Sequence, residues 1–227
     1  YDEPIKIIEE IADVKIKPID LCTDDTTLTS ESGSMIKINK CYYLKIKDCF
    51  RYKEYLTATA VQEAGLMTID ERANPIESGG MIDIQFCSDT CIKKPITIYL
   101  PVPPCLKKQP MTLWTYRNNN WVNSRNKIEV ITMNGRDYYK IEVYCPGKLN
   151  CDRPRPSKRK KVRVKLKNGL TYKTASISYN CPLYSNKAKI RKNKTVAVFS
   201  YSCQKEDPLF YAKVYDKNGD TLVINNK

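Results

Sequence analysis

Short runs in which apolar and polar residues alternate recur along nearly the whole chain, broken by Gly, Pro, Asn and Asp, and this period of two predicts an all-β protein. The stretch from Pro75 to Pro101 organises the pattern. Within it, Met81-Ile82-Asp83-Ile84-Gln85-Phe86 and Ile96-Thr97-Ile98-Tyr99-Leu100 flank a polar segment carrying Cys87 and Cys91, which predicts a half-buried hairpin. The Gly79-Gly80 pair ahead of it lets the backbone turn sharply or pack closely against a neighbour.

Residues 2–20 alternate loosely through Ile5, Ile7, Ile11, Val14, Ile16 and Ile19, and residues 23–32 read as a polar loop, so residues 1–32 form an N-terminal extension or edge strand. Strands are predicted over residues 34–38, 42–46 and 52–61. The proline-rich Pro101-Val102-Pro103-Pro104-Cys105 suits a crossing between sheets. A strand over 111–116 turns at 117–120 into one starting at Trp121, and one of Trp114 and Trp121 is expected in the core. Residues 128–133 and 138–144, joined by Asn134-Gly135, give the clearest hairpin.

Residues 33–153 thus predict a larger β-sandwich domain, and Pro154-Arg155-Pro156-Ser157 a semi-rigid linker over 154–157. Residues 158–227 predict a smaller Ig-like β-sandwich, with strands over 161–166, 175–179, 195–201, 211–215 and 221–224. The last two meet at the hairpin turn Asp216-Lys217-Asn218-Gly219. A chain of 227 residues can bury a core in either unit.

The ten cysteines change the picture of where the chain works. Cys22, Cys41, Cys49, Cys87, Cys91, Cys105, Cys145, Cys151, Cys181 and Cys203 are all disulfide candidates, giving up to five bridges in an oxidising setting: secreted, cell-surface or periplasmic. Zinc is the poorer reading, since the chain has no histidine and no pair of Cys-x-x-Cys knuckles. Cys87 and Cys91 are close enough to close a small ring, and Cys181 with Cys203 would tie the second unit. Cys41 and Cys49 bracket a predicted strand that would hold them apart, so they pair only if it bends and otherwise each joins a neighbour. No run of about 18 apolar residues is present to span a membrane as a helix.

Charge is distributed unevenly. Residues 1–35 carry nine acids and three lysines, whereas residues 153–227 carry nineteen Lys and Arg against four acids, within a net charge of +14. Such asymmetry favours contact between an acidic end and a basic end, within or between molecules, or an acidic partner. The most conspicuous binding candidate is Arg153, Arg155, Lys158, Arg159, Lys160, Lys161, Arg163, Lys165 and Lys167, which would attract acidic groups with a salt-sensitive affinity. Arg163, Lys165 and Lys167 alternate with Val162, Val164 and Leu166, so an edge strand charged against aggregation explains the same residues.

Without histidine, Ser-His-Asp and Cys-His nucleophile arrangements cannot be built. Phosphate-loop and dinucleotide fingerprints are absent too, and no cofactor is expected. A glycosidase would need two carboxylates across a cleft, from Asp48, Glu54, Asp70, Glu71 or Asp83, with no pair preferred on mechanistic grounds. The sixteen tyrosines read mainly as packing residues within strands, and Asn193-Lys194-Thr195 is a formal glycosylation sequon.

Five segments share a pattern: Gly33-Ser34-Met35-Ile36-Lys37-Ile38, Glu77-Ser78-Gly79-Gly80-Met81-Ile82-Asp83-Ile84, Lys94-Pro95-Ile96-Thr97-Ile98-Tyr99-Leu100-Pro101, Trp121-Val122, and Gly147-Lys148-Leu149-Asn150-Cys151-Asp152-Arg153. Together they make residues 33–153 resemble a recurring β-domain of exported and cell-surface proteins of the Bacteroidota. That domain is similar in pattern to the β-sandwich module of zonula occludens proteins, netrin receptors and ankyrins. The resemblance implies an exported interaction scaffold, and it brings no functional residues with it. The resulting expectation is a non-enzymatic structural or interaction subunit of a cell-surface, outer-membrane-associated or extracellular assembly, docking to a protein partner or to copies of itself. The alternative is an adhesive module binding a polyanion or acidic glycan through residues 153–167, with nucleic acid disfavoured by the oxidising setting.

Overall fold

A computed structural model describes residues 24–74, 76–106, 110–154, 159–167, 169–202 and 209–225. In chain order these form β1 (Asp25–Thr29), β2 (Met35–Asn39), α1 (Lys40–Ile46), β3 (Arg51–Tyr55), α2 (Ala58–Glu63), β4 (Ile76–Gln85), β5 (Ile96–Pro101), β6 (Thr112–Arg117), β7 (Asn120–Lys127), β8 (Glu129–Met133), β9 (Arg136–Val143) and β10 (Gly147–Pro154). The remaining strands are β11 (Arg159–Lys165), β12 (Thr171–Tyr179), β13 (Tyr184–Lys187), β14 (Lys189–Arg191), β15 (Val196–Ser202), β16 (Leu209–Tyr215) and β17 (Thr221–Asn225). The fold is all-β and disulfide-bonded, as the alternation predicts.

Four antiparallel sheets carry these strands, in the orders β1-β2-β5-β9-β8, β3-β4-β10-β6-β7, β11-β15-β14 and β13-β12-β16-β17. The first two face each other across a core of Ile36, Ile98, Leu100, Tyr139 and Ile141 against Ile82, Ile84, Leu149 and Cys151. The last two enclose a second core around Tyr172, Ile177, Ala197, Phe199 and Val214. A third cluster covers the outer face of the second sheet: Tyr55, Met81, Trp114 and Trp121 pack against Ala58, Val61 and Leu66 of the α2 region and against Leu183. Both tryptophans are therefore core residues, where one was expected.

Several local expectations change. The predicted hairpin of β4 and β5 is instead a crossing, because β4 lies between β3 and β10 while β5 lies between β2 and β9 in the opposite sheet. Packed on both faces, β4 is buried nearly throughout, and its polar side chains are paired: Glu77 with Arg153, Ser78 with Asn150 and Asp83 with Lys148. The strand predicted over 42–46 is α1, capped by Asn39, whose side chain accepts from the Tyr42 N–H at 3.1 Å; Tyr42, Tyr43 and Ile46 share its inner face. The strand predicted over 52–61 stops at Tyr55, where Thr57 caps α2 by accepting from the Ala60 N–H at 3.2 Å. In the predicted loop over 23–32, residues 25–29 are an edge strand on β2. The two hairpins predicted from Asn134-Gly135 and Asn218-Gly219 form as β8–β9 and β16–β17. Residues 1–23, and so most of the predicted N-terminal extension over 1–32, lie outside the described residues.

The disulfides correct the local pairings. Cys87 bonds Cys49, and Cys91 bonds Cys145. The chain between Cys87 and Cys91 travels from one sheet to the other, so each cysteine meets a neighbour on its own side: Cys49 just past α1, and Cys145 just past β9, where the Ile92 N–H also donates to the Tyr144 carbonyl at 2.7 Å. Cys181 bonds Cys105, because the β12–β13 turn faces the first unit; Cys203 and Cys22 lie outside the described residues. Cys41 is also oxidised, and not to Cys49. Cys151 is a free, buried thiol in mid-strand, so at most four bridges can form where up to five were expected.

The seam between the units is knit by more than the Cys105–Cys181 bridge. Ser78 and Leu183 exchange both backbone hydrogen bonds, at 3.1 and 3.0 Å. The Thr68 N–H donates to the Ser185 carbonyl, the Ser185 N–H donates to Thr68 Oγ1, and the Ala58 N–H donates to Asn180 Oδ1. Buried backbone groups at this junction are thereby satisfied across the two units.

Candidate functional site

The basic stretch divides in the structure. Arg153 lies in β10 and pairs with Glu77, two nitrogens of its guanidinium reaching Oε2 at 2.5 and 2.6 Å. Glu77 is itself buried, so Arg153 is committed to the fold. Arg155 and Lys158 lie outside the described residues, and Arg159 and Lys160 are placed as backbone in β11. Lys161, Arg163, Lys165 and Lys167 are exposed, while Val164 and Leu166 pack on the second core.

Strand β11 is the edge of its sheet, and its neighbours supply more cations. Arg163 stands opposite Val198, which stands opposite Lys189; Lys165 stands opposite Val196, which stands opposite Arg191. Residues in such rows share one face, so Lys161, Arg163, Lys165, Lys189 and Arg191 form a grid on the solvent side of β11-β15-β14. Neighbours within a strand are spaced by about 6.7 Å, and the two outer strands by about 10 Å. None of the five is ion-paired among the described residues, and no acidic residue occurs anywhere from 159 to 202. Lys192 and Lys194, in the turn leading to β15, extend the charge along one rim. Sequence reasoning singled out residues 153–167 and missed Lys189 and Arg191. The signal was present in Lys189-Ile190-Arg191-Lys192-Asn193-Lys194, but only strand pairing sets it beside β11.

The carboxylates considered for glycoside hydrolysis are occupied or solvated separately. Glu54 accepts from the hydroxyls of Ser30 and Ser32; Asp70 accepts from the N–H groups of Arg72 and Asn74; Asp83 pairs with Lys148 at 3.0 Å. Asp48 and Glu71 are exposed. Glu54 stands opposite Ile82 and Lys53 opposite Asp83, so the Glu54 and Asp83 carboxylates leave the sheet on opposite faces.

The two most distinctive sequence elements, Ser78-Gly79-Gly80-Met81 and Asn150-Cys151-Asp152-Arg153, lie side by side. Asn150 is opposite Met81 and Asp152 opposite Ser78, with the pair Gly79-Gly80 taking up the extra residue of a bulge in β4. A Cβ on Gly79 would lie 2.6 Å from the Tyr139 ring, and Gly80 has φ +140°, so glycine serves here for close approach. The Ser78 hydroxyl donates to Asn150 Oδ1 at 2.6 Å. Asp152 is fully buried on the side of the seam, and both its carboxylate oxygens lack a hydrogen-bond partner among the described residues. Burial pushes this carboxyl well above the ordinary carboxylate range, and Ser78 offsets that only in part. Burial, then the neighbouring Asp152, likewise pushes the Cys151 thiol up, which is the opposite of what a nucleophilic cysteine needs. The cluster is sealed and serves the packing of the seam.

Among the described residues, no group of three or more Cys, Asp and Glu is arranged to hold a metal ion, and no helix is long and apolar enough to cross a membrane. The disulfides point to an oxidising, extracytoplasmic setting. The resemblance across residues 33–153 rests on its motif residues alone: compared with protein-family models, curated proteins and solved structures, the chain matches none.

Proposed function

We propose that this chain is a non-enzymatic interaction subunit of an extracytoplasmic assembly that holds an acidic polysaccharide on the cationic face of β11-β15-β14. The observation that carries the reading is the grid of Lys161, Arg163, Lys165, Lys189 and Arg191, gathered from two strands on either side of β15 without an acid among them. Both outer strands, β11 and β14, are edges of this sheet, and cations on them also discourage edge pairing; what supports a ligand is that all five cations share one solvent face. Head-to-tail docking through the acidic front has less behind it, since residues 1–23 lie outside the described residues and Asp25 is already paired with Lys37 at 3.1 Å.

Five engaged cations give log affinity a slope of roughly −4 against log salt, so a rise from about 50 to 200 mM weakens binding by about two orders of magnitude. The test measures binding of heparin, polygalacturonate and duplex DNA of matched charge across that range. It compares the double variants R163E/K165E and K189E/R191E with K45E on α1 as a control. Both double variants should lose polysaccharide binding to a similar degree, and K45E should retain it. Binding indifferent to salt or to K189E/R191E refutes the face; DNA held as tightly as the polysaccharides refutes the choice of ligand.

A further inference from the structure

We propose that the cleft between α2 and the open part of β13-β12-β16-β17 is a binding site for a small sugar acid. This cleft belongs to the sheet opposite the cationic face and does not rest on the reading of that face. Its volume is about 450 Å³, within the range of small-molecule sites.

The floor is set by strand register. Ser176 stands opposite Lys187 on one side and Tyr211 on the other, which puts the three in one row, and Lys213 follows Tyr211 on the same face of β16. The wall is α2, which presents Gln62 and Glu63. The seam explains why the cleft exists: Leu183 and Leu209 join the cluster under the first unit, covering the Ser178–Ser185 end of this sheet and leaving the next row uncovered where α2 ends. Gln62 Nε2 is sealed from solvent at this wall with no hydrogen-bond partner among the described residues. A buried amide donor without an acceptor is unfavourable, and a turn of the Gln62 side chain toward the cleft lets a ligand hydroxyl accept from it.

The groups divide by chemistry. Lys187 and Lys213 are exposed ammonium groups suited to a carboxylate. The half-buried Tyr211 ring offers an apolar surface to the C–H face of a pyranose, as aromatic side chains do at wet interfaces. The Ser176 hydroxyl, the Gln62 amide and the Glu63 carboxylate provide donors and acceptors for ring hydroxyls. An inorganic anion would use only the lysines, and a neutral sugar would leave both lysines unused.

The test is a titration of the isotope-labelled full chain followed by amide NMR at fixed ionic strength, using D-glucuronate and D-galacturonate, with D-glucose and sodium sulfate as comparisons. The expected result is saturable shifts confined to α2, β12, β13 and β16 with at least one uronate, and binding at least tenfold weaker for glucose and for sulfate. The K187A/K213A and Q62L variants should each weaken uronate binding about tenfold while the rest of the spectrum is unchanged. K189E/R191E should leave it unaltered, which separates this site from the cationic face. The absence of saturable shifts with both uronates overturns the proposal, as do equal responses to sulfate or glucose and uronate affinity unchanged in both cleft variants.

Discussion

The buried carboxyl of Asp152 makes a prediction about stability that can be worked through with its sign. Asp152 is fully buried at the seam; among the described residues neither oxygen has a hydrogen-bond partner, since the nearby Ser78 hydroxyl donates to Asn150. Burial, offset only in part by Ser78, raises its folded-state pKa above the value of about 3.9 that an unfolded aspartate shows. A raised acid pKa means the folded state binds the proton more tightly. The favourable contribution is therefore complete below about pH 3.9 and is lost progressively as pH rises toward the folded-state value, with a slope of up to about 1.4 kcal/mol per pH unit. Replacing Asp152 with Asn keeps the shape and removes the titration. The buried amide still needs partners, and failing to find them costs about 1–3 kcal/mol at every pH. Asp152→Asn should thus be no more stable than the parent near pH 4 and should gain on it steadily toward neutrality. Urea unfolding of both proteins at pH 4, 5, 6 and 7 with the disulfides intact measures the difference. A difference that stays flat with pH refutes the argument, and one that favours the parent increasingly at higher pH would mean that Asp152 is ionised and paired in the fold.

Three further outcomes follow from the same geometry. Gly79→Ala places a methyl group 2.6 Å from the Tyr139 ring and should destabilise the chain by about 1–3 kcal/mol in chemical denaturation; an unchanged midpoint would show that the bulge can widen. Replacing Cys105 and Cys181 together by serine should remove about 2–4 kcal/mol and lower hydrogen-exchange protection at Ser78, Leu183 and Ser185, whereas uniform loss of protection across both units would contradict a local role at the seam. Without a reductant, Cys151 should resist alkylation in the native protein and become labelled only in denaturant, as read by peptide mass spectrometry. Rapid native labelling would contradict its burial, and no labelling in denaturant would contradict its free thiol.

The sequence by itself determined what depends on short range. Alternation with period two required strands, Asn134-Gly135 and Asn218-Gly219 required tight hairpins, and the prolines after Leu100 required a crossing, because each is a property of neighbouring backbone dihedrals. An even, high cysteine count with no histidine implied oxidation over metal ligation, and three described disulfides agree with the oxidation. The two helices escaped because Tyr42, Tyr43 and Ile46 carry too few residues to distinguish a period of 3.6 from a period of two; their caps, Asn39 and Thr57, were the readable signal.

What only the tertiary structure decided is which strand lies beside which. Alternation says that a strand has two faces and leaves its neighbours open, so β4 and β5 could read as a hairpin until each was found between partners in separate sheets. The cysteine pairings follow those neighbours, which is why closeness in sequence misled at Cys87 and Cys91. The candidate binding surface has the same origin. Lys189 and Arg191 lie far along the chain from Arg163 and Lys165, and only the pairing of both strands with β15 converts two separate basic runs into one charged face. Hydrogen bonds between strands act across any separation in sequence, so the assembly of that face is set by the packing of the whole sheet and leaves no local mark in the residues that form it.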